Sequence, residues 1–180
     1  MAAHEVHIEA EVNPGPLDNP PLEFLRSYWL RKRGGRAMPA RKDMVPSELK
    51  KYLDGLVMID VLPDMTDFRY RLIGTAVTQY FLVDPTGKSV AETWAPMGQS
   101  AVDHIIANLR AVARQRACIH LRGAVDWFGR GAETVDALYL PLSDDGETVN
   151  MIVNLFIFDR RNVLRERQIA IERGQKLFVS

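Results

Sequence analysis

His120, Asp126 and Asp136 are the residues of this chain whose types could do acid–base chemistry. A histidine beside a carboxylate can move a proton near neutral pH, and paired carboxylates can divide acid and base roles. Strand-like alternation around all three places them more readily on a wetter face than inside a cavity. No nucleophile elbow, phosphate-cradling glycine loop or HExxH zinc pattern accompanies them. A small α+β enzyme with a cone-shaped cavity, hydrolase- or isomerase-like, is therefore an alternative rather than the leading reading.

Other polar residues invite the same weighing. His4 and His7 could catch a metal, but on an unanchored stretch with Glu5, Glu9 and Glu11 they read better as solvated side chains. The single cysteine, Cys118, can form neither an internal disulfide nor a thiolate cage, and its apolar surroundings suit a buried small hydrophobe. Asn150 and Asn154 share a strand face with Ile152 and Phe156. If buried they need partners, and a bound ligand could supply them, although backbone or water is the blander answer. Arg26, Arg31, Lys32, Arg33, Arg36, Arg41 and Lys42 form an acid-free basic run. It could receive a nucleotide or nucleic acid through Arg31 to Lys42, but a cationic helix end followed by a solvated loop outweighs that.

The bulk numbers are those of one ordinary soluble domain: 180 residues, 47% hydrophobic, with 23 basic residues balanced by 23 acidic ones. No global field draws the chain to nucleic acid or an anionic surface. No run approaches the ~18 apolar residues of a membrane span, and no secretory signal opens the chain, so no membrane is expected and the cytoplasm is the expected compartment.

The elements that would position these residues follow from periodicity. Residues 1–20 read as a flexible tail ending near Asn13-Pro14-Gly15-Pro16. Pro20-Pro21 opens a helix in which Leu22, Leu25, Trp29 and Leu30 recur until Gly34-Gly35 stops it. Its apolar surface exceeds one face, so Leu22, Leu25 and Trp29 are expected at a dimer interface. A short helix follows Pro46. LVMIDVL and FRYRLIG then form a hairpin, with Val57, Ile59 and Val61 on one side and Phe68, Tyr70 and Leu72 on one side. Asp60 falls near Arg69 and Arg71 on the wetter face.

Short helical pieces come next, one capped by Ser89. A long helix over roughly Met97 to Arg116 carries Ala101, Val102, Ile105, Ile106, Leu109, Val112 and Ala113 in one stripe. His104 lies about 130° from its centre, pointing away from the core. Three strands close the sheet: CIHLRGAVDWF, AETVDALYLPL and VNMIVNLFIFD. Gly129-Arg130-Gly131 marks the first turn and Asp145-Gly146 the second. A charged helix is expected from Asn162.

Hairpin, short helices, long helix and three-stranded meander make an order that resembles the PAS fold, a five-stranded antiparallel sheet with helices on one face. Tyr28-Trp29, RGGRAMPAR from Arg33 to Arg41, Pro46-Ser47-Glu48-Leu49, FRYRLIGTAV, Pro85-Thr86-Gly87-Lys88 and LYLPLSDDG together resemble the single-domain bacterial PAS family known as PAS_5. The resemblance implies an α+β domain over 21–159 that includes the N-terminal helix, with a helical extension over 160–180. It implies a non-catalytic sensory or regulatory module in bacterial signalling. Its partners would be a second copy, a signalling protein and a small apolar or amphipathic ligand, with no nucleic acid. Tyr70, Leu72, Tyr80, Ile105, Leu109 and Phe156 would line the ligand space. The cofactor is left unknown: Cys118 does not sit where a photoactive flavin site needs its cysteine, and His104 is poorly aimed for haem.

Overall fold

The computed structural model describes residues 7–125 and 133–158. Asp126, Trp127-Phe128, the Gly129–Gly131 turn, His4 and the helix expected from Asn162 lie outside them. The elements run β1 (His7–Val12), α1 (Pro20–Arg33), α2 (Pro46–Leu49), β2 (Leu56–Val61), β3 (Phe68–Ile73), α3 (Thr75–Phe81), α4 (Val90–Trp94), α5 (Gln99–Gln115), β4 (Ile119–Val125), β5 (Glu133–Leu142) and β6 (Met151–Phe158). All strand pairs are antiparallel, in one sheet of order β1-β4-β5-β6-β2-β3.

The expected five strands are thus six, because His7–Val12, assigned to a flexible tail, pairs along β4. Glu9 lies opposite Arg122, a complement of charge that suits this edge pairing, and Glu11 lies opposite His120. Asn13 then turns back with a left-handed φ of 49°. Its amide donates to the Cys118 carbonyl at 2.7 Å, and its side-chain oxygen accepts from the Cys118 amide at 3.2 Å.

The sheet has helices on both faces. Register puts Tyr70, Ile59, Ile152, Asn154, Tyr139 and Phe156 on one face, called inner. Trp94 of α4 hydrogen-bonds Tyr70 there, and α5 packs beside α4. Leu138, Leu140, Leu142, Met58, Val153 and Leu155 point to the outer face and are all buried. Helix α1 covers that side. Its N-cap residue Asn19 donates to Asp136 at 3.1 Å, and Trp29 Nε1 donates to the Pro141 carbonyl at 2.8 Å.

Here the structure corrects the expected dimer surface. Leu22, Leu25 and Trp29 are only 0%, 1% and 3% exposed within the chain itself. Their apolar area is consumed against the protein's own sheet, each large side chain contributing roughly 1.5–3 kcal/mol by leaving water. The surplus periodicity on α1 reflected a helix packed over a broad sheet face. Gly34 ends that helix at φ 56°, where the glycine pair predicted its stop.

Two local devices fix the inner layer. Ser89 and Glu92 form a reciprocal capping box at the start of α4, at 3.1 and 2.9 Å. Gly74 joins β3 to α3 so tightly that an added Cβ would lie 2.3 Å from the Asp54 carbonyl oxygen. Because the obstacle is backbone, Gly74→Ala should lose about 2–3 kcal/mol of folding stability by denaturant titration.

A second prediction concerns the entry to α1. Glu23 accepts from Arg26, Leu17 N and Ser27, and the Arg26 hydrogen bond leads in lowering its pKa to about 2. A depressed carboxylate stabilises the fold above its unfolded pKa, and that contribution is lost as pH falls toward the folded one. Glu23→Gln should therefore cost on the order of 1 kcal/mol at pH 7, since the pair is partly exposed. The gap to wild type should close between about pH 4.5 and pH 2 in thermal melts.

Candidate ligand-binding layer

Between the inner face and helices α3–α5 the side chains are aromatic and aliphatic. Tyr80 stacks on Phe158 with ring centroids 3.8 Å apart, and Phe81 meets Trp94 edge-on at 4.9 Å. Phe156 lies parallel to Phe158 at 5.5 Å and edge-on to Tyr139 at 5.9 Å. The α5 stripe closes the layer with Val102, Ile106, Leu109, Val112 and Ala113 buried, while His104 is exposed, as its helical angle required.

Of the six expected lining residues, Tyr70, Tyr80, Leu109 and Phe156 are buried in the chain's hydrophobic core, and Ile105 is half-buried against it. Leu72 departs from its expected side. A bulge in the β2–β3 pairing sets Tyr70 opposite Ile59 but Leu72 opposite Met58, the neighbouring β2 residue, which points to the outer face. Alternation counted from Tyr70 could not reveal that extra residue. Trp94, Phe81, Tyr139 and Phe158 belong to the layer although none was singled out. For Trp94 the signal was present, because the Ser89 cap fixes the phase of α4.

Polar groups in this layer are few and converge. Tyr70 Oη accepts from Trp94 Nε1 at 2.8 Å, and burial pushes the Tyr70 phenol pKa well up. Burial likewise raises the Tyr139 phenol, Tyr70 adds to the rise, and the Asn154 amide opposes it. That proximity falls short of a hydrogen bond. Asn154 is 0% exposed, and neither its amide nitrogen nor its oxygen has a partner. Leaving such a group unpaired costs roughly 1–3 kcal/mol per missing bond. Asn150, on the same strand face in the sequence, is exposed and satisfied by the turn: it donates to Asp144 at 2.9 Å and accepts from the Asp144 amide at 3.1 Å.

Of the acid–base candidates, His120 and Asp136 meet on the outer face instead. His120 Nε2 and Asp136 Oδ1 are 2.5 Å apart, with side chains 15% and 13% exposed. They border a crevice of about 390 Å³ lined also by Glu9, Glu11, Pro16, Leu17, Asp18, Asn19 and Arg122. A histidine beside a carboxylate is a proton-transfer pair, but among the described residues no serine, threonine, cysteine or lysine lines the crevice to act as nucleophile. The Cys118 thiol lies elsewhere, pushed up to about 11 by burial. The basic run is largely engaged: Arg26 pairs with Glu23, Lys32 with Glu48 and Arg36 with Asp43, each at 2.8 Å. Arg31 and Lys32 also lie over the Tyr28 ring, at 5.3 and 5.2 Å.

A family profile described as PAS domain matches residues 17–157. The chain belongs to the PAS domain family. The PAS domain of Bordetella pertussis BvgS resembles it with a TM-score of 0.50 at 19% identity, covering 71% of this chain and 96% of that one. An RNA-binding light-oxygen-voltage receptor aligns with a TM-score of 0.51 at 11% identity, over 96% of this chain and 45% of that one. At these identities the likeness is one of fold. No curated protein sequence matches the chain. Among the described residues no helix is long and apolar enough to cross a membrane.

Because the Asn154 amide is buried and unpaired, an apolar side chain of similar shape should suit that place better. Asn154→Leu is expected to raise stability by about 1 kcal/mol in urea unfolding. A loss of similar size would show instead that the amide is satisfied.

Proposed function

We propose that this PAS domain is a non-catalytic, ligand-responsive regulatory module in bacterial signalling. One observation carries the reading: the Asn154 amide, fully enclosed and unpartnered, sits among aromatic rings in the layer where the sheet meets α4 and α5. Apolar walls with a few convergent polar groups are the usual make-up of a small-molecule site. A molecule that satisfies the amide favours one packing of the layer and shifts the population of states toward it.

Output then passes to a signalling protein or to a second copy of the chain. The apolar stripe of α1 is spent on the chain's own sheet, so contact with a partner falls to the exposed side of α1 or to other surfaces. The outer-face His120–Asp136 pair acts as a structural tie between β4, β5 and the start of α1.

Native mass spectrometry of the freshly purified full chain tests the proposal. A retained small molecule, released on denaturation and raising the melting temperature when added back, is the expected outcome. A chain that carries nothing, and whose stability responds to no small molecule, would overturn it. The same spectra report subunit count.

A further inference from the structure

We propose that the molecule bound in this layer is neutral and planar, and presents an adjacent hydrogen-bond donor and acceptor, as a ring lactam does, to the Asn154 side chain. This rests on the ligand-responsive reading above and adds the chemistry of the ligand. Three observations carry it. First, the Asn154 amide sets an NH2 donor group beside a carbonyl acceptor, and both atoms lack partners while the side chain is 0% exposed. A group that pairs with only one of them leaves the other unsatisfied, so the complement is a donor beside an acceptor.

Second, the neighbouring walls are flat rings: Tyr139 and Phe158 each pack on Phe156, and Tyr80 stacks on Phe158. Such surfaces favour a planar guest in offset or edge-on contact. Tyr139, Phe158 and Ile105 remain partly exposed, unlike Leu109 and Val102, so the layer is least closed along that side.

Third, among the described residues the centre of the inner face carries no charged side chain. The residues paired through its centre are Val57, Ile59, Tyr70, Ala137, Tyr139, Ile152, Asn154 and Phe156, and the buried residues of α3, α4 and α5 that cover it are all uncharged. A carboxylate or ammonium would lose its hydration with no counter-charge to meet it. The phenols of Tyr70 and Tyr139 stay protonated under these conditions and offer only neutral hydrogen bonds.

The test uses the 180-residue chain labelled with ¹⁵N and three probes of similar size: 2-quinolone, a neutral bicyclic lactam; quinoline, which lacks the donor; and 2-naphthoate, which is charged. 2-Quinolone should bind on the order of tenfold more tightly than either of the others, and only 2-quinolone should shift the Asn154 side-chain amide resonances. Asn154→Leu should bring 2-quinolone down to the level of quinoline. The wild-type amide shift decides the matter even if the variant fails to fold. Undiminished 2-quinolone binding by the Leu variant, an unmoved Asn154 amide, or tightest binding by 2-naphthoate overturns the ligand class while leaving a ligand-responsive domain intact. Binding of none of the three, with nothing retained in native spectra, overturns both readings.

Discussion

Pairing of β2 with β6 is the constraint on which the molecule depends. It brings Leu56–Val61 from the first half of the chain beside Met151–Phe158 from the second, and closes two hairpin units into one sheet. Leu56, Val57, Ile152, Val153 and Asn154 at that seam are 0% exposed, because α1 covers one face and α3–α5 the other. Backbone groups so far from water must be satisfied by the ladder itself. Register is therefore strongly specified here. A one-residue slip of β6 would turn Asn154 toward the α1 side and Val153 toward the aromatic layer, with every neighbouring side chain reversed.

Much of this was legible because burial follows period. The α5 stripe, the Ser89 cap, the stop at Gly34 and the β2–β3 hairpin with Asp60 beside Arg71 all came from spacing and turn chemistry; that ion pair forms at 2.7 Å. What escaped depended on distant partners. Ile8, Ala10 and Val12 do alternate with Glu9 and Glu11, yet acidic residues followed by Pro-Gly-Pro weaken a strand signal until Arg122 and His120 are known to lie opposite. Leu72 was misplaced by a bulge that no local pattern announces. The apolar excess of α1 was visible, but not that the chain's own sheet, rather than another subunit, covers it. Basic residues from 26 to 42 looked free because Glu48 and Glu23, their acidic partners, lie outside that run.

The same register sorts the chemistry onto two faces. His120, Arg122 and Asp136 share outer-face positions near the β1 edge, where Asp136 is held by both His120 and the α1 N-cap residue Asn19. Asn154 falls on the inner face, where the surrounding side chains are rings and aliphatics. Between Asn150 and Asn154 the difference is depth alone. One reaches the Ser143–Glu147 turn and finds Asp144, while the other lies three residues into β6, beyond the reach of any turn. An unpaired amide held at that depth opposes stability, and natural chains concentrate such local costs where they bind or switch.

Position along β6 also couples the two faces. Val153 and Leu155 flank Asn154 in sequence and point the other way, into the packing beneath α1, at 0% and 1% exposure. A protein interior packs as densely as an organic crystal and does not absorb a shift of its backbone without repacking. Any displacement of β6 that lets Asn154 reach a bonding partner must therefore be answered by Val153, Leu155 and the leucines of β5 beside them. Those side chains support α1, the element that also holds Asp136 through Asn19 and the Pro141 carbonyl through Trp29. Packing of the aromatic layer and the seating of α1 are thus linked through one strand, with no longer path required.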